Sequence, residues 1–483
     1  MRRKMNYGMI LHILGLAGCF EALFLVMPAI IALIYGEEVF RVYLFSIVLC
    51  AVAGGALVIR KPGKSTMFAR EGFVAVALAW IWMSAFGAFP FVLTGEIPSY
   101  IDALFETISG FTTTGASILT NVEALSHASL FWRSFTHWVG GMGILVFILA
   151  IMPNGGNGTT VHLMRAESPG PSVSKLVPKI RSTAMILYAI YFGMTLLEIL
   201  LLLASGMPLF DAVTLSFGTA GTGGFAIKCD SVGSYTMLQQ GIITVFMILF
   251  GVNFTFYYCL LTKKRKHIFS MTEVWTYFGI IAVAILAIGI NVMPLFESAG
   301  AAFHHAAFQV GSIITTTGFG TVDFNLWPAF SKTILVTLMF IGACAGSTGG
   351  GIKVSRLILL VKGITKEVSL AIHPRSVRKV RMEGRTVESE VIRSVNAFIA
   401  LYLIIFVLSV LFISLDEMDL VTNFTAVAAT LNNIGPGLEV VGPAGNFSSF
   451  SAFSKLVLCF DMLAGRLELI PMLMLLVPST WKR

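Results

Sequence analysis

Long apolar stretches alternate with short ones along this sequence, and the alternation restricts the fold to a helical membrane protein. A helix needs about 20 apolar residues to cross the ~30 Å hydrocarbon core of a bilayer. Only 12% of the 483 residues are charged, against about 25% in soluble domains, which excludes a disordered chain and a basic nucleic-acid-binding protein. About ten stretches are predicted to span the membrane: 8–35, 42–60, 71–94, 131–152, 184–206, 236–262, 272–293, 331–361, 391–415 and 453–479.

The short apolar stretches occur only between spans three and four, five and six, seven and eight, and nine and ten. They cover 99–111, 208–218, 298–314 and 419–431. Stretches of this length are too short to cross a bilayer and indicate buried or re-entrant helices. We therefore predict an all-α membrane protein in which two N-terminal helices precede four pseudo-symmetric repeats of helix, short helix, loop and helix. The predicted boundaries are 1–65 for the N-terminal extension and 66–165, 166–267, 268–385 and 386–483 for the repeats.

The charged residues predict the orientation. Most of the 33 lysine and arginine residues fall in alternate loops, and the most basic of these loops is 362–390. The positive-inside rule then places both termini in the cytoplasm and the four short helices on the outer side. The net charge of +8 is explained by this topology, so no nucleic-acid partner is expected. Five acidic residues of the short segments are expected to add negative potential outside: Asp102, Glu106, Asp211, Glu297 and Asp419.

Each short helix leads into a polar turn that contains glycine. The turns read Thr-Thr-Thr-Gly at 112–115, Gly-Thr-Gly-Gly at 221–224, Thr-Thr-Thr-Gly at 315–318 and Asn-Asn-Ile-Gly at 432–435. A single turn of this kind could be an ordinary external loop. Four turns in register, each after a helix too short to cross, favour a shared function.

That function follows from the backbone. Irregular chain at membrane depth is tolerated where it is buried or lines water, and rings of carbonyl oxygens can replace the hydration shell of a monovalent cation. The partly negative C-terminal end of each short helix would also favour a cation. The predicted binding residues, acting mainly through backbone carbonyls, are Thr112, Thr113, Thr114, Gly115, Gly221, Thr222, Gly223, Gly224, Thr315, Thr316, Thr317, Gly318, Asn432, Asn433, Ile434 and Gly435.

The eighth span is interrupted by a glycine-rich segment at 342–353. Each glycine costs a helix roughly 1 kcal/mol relative to alanine, so the helix is predicted to break there. The spacing of Gly346 and Gly351 resembles a P-loop, but Ile352 stands where lysine is needed and no strand precedes the segment. A flexible linker is a second alternative.

Arg466 is predicted to be the one basic residue inside a span. Ionisable residues at membrane depth usually face the bundle interior and are functional. At an effective dielectric constant of ~20, a positive charge ~5 Å from a monovalent cation costs about 3 kcal/mol, so Arg466 could form a barrier under the binding loops. A structural ion pair with Glu468 or Asp461 is a compatible alternative.

These motifs resemble the TrkH/TrkG/KtrB family of potassium-uptake subunits over essentially the whole chain. The similar segments are the four loops, 138–143 (Trp-Val-Gly-Gly-Met-Gly), 165–171 (Arg-Ala-Glu-Ser-Pro-Gly-Pro) and 342–353. The two extra N-terminal helices and the length look like TrkH rather than the shorter KtrB. Sodium-permeable members often carry serine at the first aligned glycine, so Gly115 implies selectivity for K⁺.

The resemblance implies that the four repeats surround one central pore. It also implies a gate, partners and a location. The gate would comprise Gly346, Ser347, Thr348, Gly349, Gly350, Gly351, Lys353 and Arg466, with Lys353 anchoring its cytoplasmic end. The implied assembly is a homodimer in the bacterial inner (plasma) membrane, controlled by TrkA, a cytosolic subunit that binds nucleotide. The basic segment 362–390 could dock this regulator or bind anionic membrane lipids.

Two other functional classes compete with a channel. A secondary transporter that couples the cation to H⁺ or Na⁺ by alternating access usually has paired charges at mid-depth, and apart from Glu21, Glu198 and the Arg466 region the spans hold few. An enzyme is disfavoured because neither HExxH nor GxSxG occurs. No organic cofactor is expected, and K⁺ is the ion transported.

Overall fold

A computed structural model describes residues 5–59, 68–143, 180–262, 268–376 and 378–481. The described chain is helical apart from one antiparallel hairpin, in which Arg381–Met382 pairs with Arg385–Thr386. The motif at 165–171, the end of the predicted span 131–152 and several repeat boundaries lie outside the described residues. The proposed boundaries therefore stay predictions.

Two helices precede the repeats, Tyr7–Tyr35 and Phe40–Val58. The first begins at Asn6, whose side chain accepts the Met9 amide at 3.1 Å, and ends at Gly36 in a left-handed conformation. The two helices pack closely where both carry glycine. A Cβ atom on Gly54 would lie 2.7 Å from the Cys19 nitrogen, so a small residue is needed at this crossing.

Each repeat then contains a first helix and a short helix. The first helices are Ala69–Gly87 (continued by Phe89–Thr94), Ile180–Ala204, Thr272–Val292 and Ser389–Ile413. The short helices are Tyr100–Phe111, Leu209–Gly221, Ala299–Ile314 and Leu420–Leu431. Three short helices begin at side-chain N-caps, Ser99, Ser298 and Asp419, which satisfy an otherwise unbonded amide. The four predicted short helices are confirmed.

Within the described residues, the second helices of repeats 2, 3 and 4 are each interrupted, whereas the prediction placed an interruption in repeat 3 alone. In repeat 1 the second helix is His127–Gly141. Those of repeats 2, 3 and 4 are divided into Met237–Phe250 and Phe254–Leu261, Ala329–Ile341 and Val354–Ile372, and Ala452–Arg466 and Ile470–Leu476. The two parts in repeat 2 meet at a bend of 92°. The predictions of continuous helices over 236–262 and 453–479 were therefore wrong.

These interruptions also lower the number of long helices. Within the described residues, six helices are long and apolar enough to cross a membrane, or seven if the bent pair of repeat 2 counts as one span. About ten spans were predicted for the whole chain, and the one at 131–152 continues beyond the described residues. Short 3₁₀ turns and a final helix complete the chain: Val122–Ala124, Met293–Leu295, Phe324–Leu326, Ser414–Asp416, Glu439–Val441 and Pro478–Trp481.

The outside of the helical bundle is apolar. On the first helix of repeat 4, for example, Leu403, Val407 and Leu411 are exposed. An outer face of this kind fits a lipid environment. The short helices and their loops are enclosed, and every threonine of 112–114 and 315–317 is buried.

Candidate cation-binding ring and the loop beneath it

The four glycine-containing loops share one backbone conformation. The residue two positions before each aligned glycine is left-handed although it is not glycine, with φ of 55° at Thr113, 55° at Thr222, 59° at Thr316 and 56° at Asn433. The aligned glycines are also left-handed, with φ of 80° at Gly115, 76° at Gly224, 85° at Gly318 and 100° at Gly435. Non-glycine residues avoid this region, so its recurrence at four equivalent positions identifies a common structural requirement.

A shared hydrogen bond explains the left-handed residue. In each repeat the amide of the residue before the aligned glycine donates to a carbonyl in the last turn of the short helix, at 2.8–2.9 Å. The pairs are Thr114–Ser109, Gly223–Gly218, Thr317–Ser312 and Ile434–Ala429. A left-handed residue commonly closes a helix in this way. Every loop is thereby fixed at the C-terminal end of its short helix.

The four loops close into a ring through their glycines. A Cβ atom on Gly115 would overlap the carbonyl oxygen of Gly223 in the second loop. The same contact links Gly224 to the Thr317 carbonyl and Gly318 to the Ile434 carbonyl. A Cβ atom on Gly435 would lie 2.7 Å from the Thr114 carbonyl oxygen, which returns to the first loop. Four equivalent carbonyls therefore surround one axis, an arrangement suited to a dehydrated cation.

An outer cavity of about 130 Å³ opens onto this ring. All four aligned glycines line it: Gly115, Gly224, Gly318 and Gly435. The cavity contacts the C-terminal residue of each predicted binding loop. A cation that entered it would meet the glycine level of the ring first.

A buried ion pair supports the first two loops. Arg133 contacts Glu106 at 2.8 Å, and both side chains are almost fully buried. Glu106 also accepts the Ile118 amide at 3.1 Å, while Arg133 donates to the Ala226 carbonyl at 3.2 Å and lies over the Phe225 ring. The pair joins the chain that leaves loop 1 to the chain that leaves loop 2.

Two of the acidic residues that were predicted to add external negative potential are paired with basic side chains. Glu106 was expected to add external negative potential, but Arg133 neutralises it. Asp102 is likewise paired, with Lys455 at 2.6 Å. Asp419, in contrast, is exposed. The hydroxyl and the amide of Thr422 donate hydrogen bonds that lower the pKa of Asp419 below its ordinary value, which favours the carboxylate. Arg466 was predicted to be the one basic residue inside a span; the structure shows that Arg133 and Lys353 are buried inside the protein.

The interruption of repeat 3, residues 342–353, contacts the ring at its other end. The Gly350 amide donates to the Thr316 hydroxyl at 2.6 Å. A Cβ atom on Gly349 would lie 2.9 Å from the Thr315 carbonyl oxygen, and one on Gly350 would overlap the Asn432 carbonyl. These partners are the N-terminal residues of loops 3 and 4, whereas the outer cavity meets their C-terminal glycines. The segment, which we call the intramembrane loop, therefore lies beneath the ring.

Arg466 fastens the intramembrane loop to repeat 1. Its guanidinium donates to the Thr348 carbonyl at 2.8 Å, to Gly140 at 2.5 Å and to Gly141 at 2.7 Å. The carboxylates considered as ion-pair partners are engaged elsewhere. Glu468 pairs with Arg356, and Asp461 accepts a hydrogen bond from Ser409 at 2.7 Å.

Repeat 2 holds the same loop from another side. The Phe254 amide donates to the Gly346 carbonyl at 3.0 Å, and the Cys344 amide donates to the Gly251 carbonyl at 3.1 Å. The loop therefore docks on the bend of repeat 2. Lys353 was expected to anchor the cytoplasmic end, but it is buried and donates back to the Gly349 carbonyl.

Two buried charges around this loop, Arg356 and Glu273, were not expected from the sequence. Arg356 pairs with Glu468, which joins the helix after the interruption of repeat 3 to the interruption of repeat 4. Their partners are distant in sequence, so only the presence of charges at the ends of apolar stretches could have indicated them. Among the described residues, no group of three His, Cys, Asp or Glu side chains could hold a metal ion.

Comparison with known proteins identifies the family. A family model described as TrkH, cation transport protein, matches residues 38–482. The chain belongs to this family. The family resemblance seen in the motifs is confirmed, and membership in a transport family assigns no enzymatic activity.

Individual relatives match over their full length. The Trk system potassium uptake protein TrkH of Salmonella typhimurium is 36% identical over 486 residues, covering 99% of this chain and 100% of the relative. TrkG of Escherichia coli K12 is 32% identical over 98% of both chains. The crystal structure of the potassium transporter TrkH from Vibrio parahaemolyticus superposes with a TM-score of 0.89 at 32% identity, covering 99% of this chain and 100% of that one. This TrkH-family chain is thus a multi-pass membrane protein.

Proposed function

We propose that this chain takes up K⁺ across the bacterial inner membrane through a K⁺-selective, channel-like pore. The observation that carries the proposal is the closed ring, in which each aligned glycine fits against a carbonyl of the next loop. Relatives that match the whole chain are named as potassium uptake proteins.

The binding chemistry would be replacement of hydration by carbonyl oxygens. The carbonyls of Thr114, Gly223, Thr317 and Ile434 are equivalent under the fourfold repeat. Such oxygens compensate a monovalent cation for its lost water, and the C-terminal ends of four short helices add a favourable potential. Side-chain contacts such as the bond from the Asn433 amide to the Thr114 hydroxyl, 2.9 Å long, would hold neighbouring loops at a fixed spacing.

The intramembrane loop would be the gate. It lies against loops 3 and 4 and is held by Arg466, whose positive charge would then repel a cation below the ring. In this position the loop obstructs conduction, and displacement of the loop would open the pathway. Repeat 3 carries the long interruption, so one moving segment would be enough.

The proposed assembly is a homodimer regulated by a cytosolic subunit that binds nucleotide. The relatives are named as members of a Trk system, which supports further subunits. The basic segment 362–390 follows the intramembrane loop through the helix Val354–Ile372 and is our proposed docking surface for this regulator or for anionic lipid.

Reconstitution into liposomes tests this function. The liposomes would be loaded with K⁺ and would contain no K⁺ ionophore, only a pathway for a counter-ion that balances the charge. Purified protein in these liposomes should release K⁺ down its gradient. Release that requires an added H⁺ or Na⁺ gradient would favour the symporter alternative. Equal release of K⁺ and Na⁺ would contradict the selectivity of the ring.

A further inference from the structure

Glu273 reaches the intramembrane loop from a different helix. It lies in the first turn of the first helix of repeat 3, Thr272–Val292, and is 5% exposed. One carboxylate oxygen, Oε1, accepts two backbone amides, Ala345 at 2.7 Å and Ser355 at 3.0 Å. Ala345 belongs to the intramembrane loop and Ser355 follows it. A single atom therefore bridges the two arms of the loop.

The two amides belong to different structural elements, the intramembrane loop and the helix that follows it. Ser355 is in the first turn of Val354–Ile372, a helix whose N-cap residue, Lys353, makes no side-chain capping bond. The first amides of a helix need acceptors from outside the helix, and a negative charge there is favoured by the helix dipole. Glu273 supplies both for this helix while holding Ala345 in the loop.

The base of the loop is closed by backbone bonds next to these contacts. The Lys353 amide donates to the Ile341 carbonyl and the Val354 amide to the Ala343 carbonyl, both at 3.1 Å. The Lys353 ammonium donates to the Gly349 carbonyl, within the loop itself. The carboxylate of Glu273 thus adds the side-chain link between the loop, the helix after it and a neighbouring helix.

We propose that Glu273 is a positioning residue that clamps the intramembrane loop in its closed position. The inference rests on the proposed role of the loop as the gate. Displacement of the loop away from Val354–Ile372 must break at least one of the two hydrogen bonds that backbone amides donate to the carboxylate. Movement of the cytoplasmic end of that helix therefore reaches the loop through Ser355, and loss of the carboxylate releases both arms.

Repeat 1 offers a matched control, Glu71. It also lies in the first turn of a first helix and is also 5% exposed. Its carboxylate accepts the Phe68 amide at 2.9 Å, which caps its own helix. Glu71→Gln therefore changes a buried carboxylate at a comparable position without touching the intramembrane loop.

The native Cys344 can report loop displacement directly. It is fully buried and precedes Ala345, which is bonded to Glu273. In a full-length protein that keeps Cys344 and carries serine at the other five cysteines, we would measure the rate of modification by a cationic methanethiosulfonate in liposomes. Glu273→Ala should raise this rate by about tenfold or more, since two bonds to a charged acceptor are lost. Glu273→Gln, whose amide oxygen can still accept, should raise it less, and Glu71→Gln should leave it unchanged.

Parallel K⁺ flux separates the clamp from the gate. Faster Cys344 modification together with higher flux supports both. Faster modification with unchanged flux supports the clamp and contradicts the gating role of the loop. An unchanged rate in Glu273→Ala, or in Glu273→Gln should the alanine variant not fold, overturns the clamp whatever the flux. Equal acceleration in Glu71→Gln also overturns it, because general loosening of the helix ends would then explain the effect.

Discussion

The ring and the layer beneath it come from the same four repeats, but the repeats are alike in the ring and differ from one another beneath it. In the ring, four loops adopt one conformation, with left-handed residues at matching positions. Beneath it, the second helices diverge: a 92° bend in repeat 2, a loop over 342–353 in repeat 3 and a break at 467–469 in repeat 4. This difference matches the proposed roles, since a site that surrounds an ion would use the same geometry four times, whereas a gate would need only one elaborated repeat.

The symmetry of the ring is most directly broken by Gly115→Ser. The serine side chain would overlap the Gly223 carbonyl. The serine backbone would also have to adopt a φ of 80°, which costs non-glycine residues about 1–2 kcal/mol. We expect the K⁺/Na⁺ permeability ratio to fall by about tenfold or more, measured as a shift in reversal potential. Gly279→Ser is the control, because nothing lies within 4 Å of that position. An unchanged reversal potential in Gly115→Ser would remove loop 1 from the selective site.

The free energy of unfolding can show how much the Arg133–Glu106 ion pair contributes to the ring. Arg133→Ala leaves Glu106 buried without its cation, which should lower the free energy of unfolding by about 3–5 kcal/mol. Lys455→Ala disrupts a pair whose Asp102 side chain is 27% exposed, so its effect should be about 0–1 kcal/mol. Denaturant unfolding in detergent micelles compares the two variants. Equal losses would show that the Arg133 pair is no more important to the ring than a peripheral one.

Arg466→Ala tests the asymmetric layer. The change removes three hydrogen bonds that hold the intramembrane loop and repeat 1 together, as well as a charge whose repulsion of a cation ~5 Å away is about 3 kcal/mol. Liposome K⁺ flux without a regulator should rise by about tenfold. Arg466→Lys keeps the charge and should give a smaller rise. A variant that unfolds would assign Arg466 a structural role and contradict the barrier.

The smallest expected effect distinguishes two equivalent threonines. Thr316 bonds to Gly350 of the intramembrane loop, whereas the hydroxyl of Thr113 has no hydrogen-bond partner among the described residues. One lost hydrogen bond is worth about 1 kcal/mol. Thr316→Val should therefore speed Cys344 modification roughly fivefold, and Thr113→Val should not change it. Equal rates in the two variants would mean that the loop is not held by loop 3.

Periodicity and glycine spacing were enough to predict the four short helices and the register of the loops. The aligned glycines were identifiable because their spacing repeats, and the break at 342–353 because glycine weakens helices. The break at 467–469 could not be predicted in this way, since its left-handed residues are Glu468 and Leu469. The contacts of Arg133, Arg356 and Glu273 also escaped, because each joins segments far apart in the chain and leaves no local pattern.

Single-channel recording can show whether the symmetric carbonyl ring makes this chain a K⁺-selective pore. Purified protein in a planar bilayer would be held between K⁺ on one side and Na⁺ on the other. We predict unitary currents that reverse close to the K⁺ equilibrium potential. Slow flux that saturates and requires a co-transported ion, without unitary currents, would contradict the account.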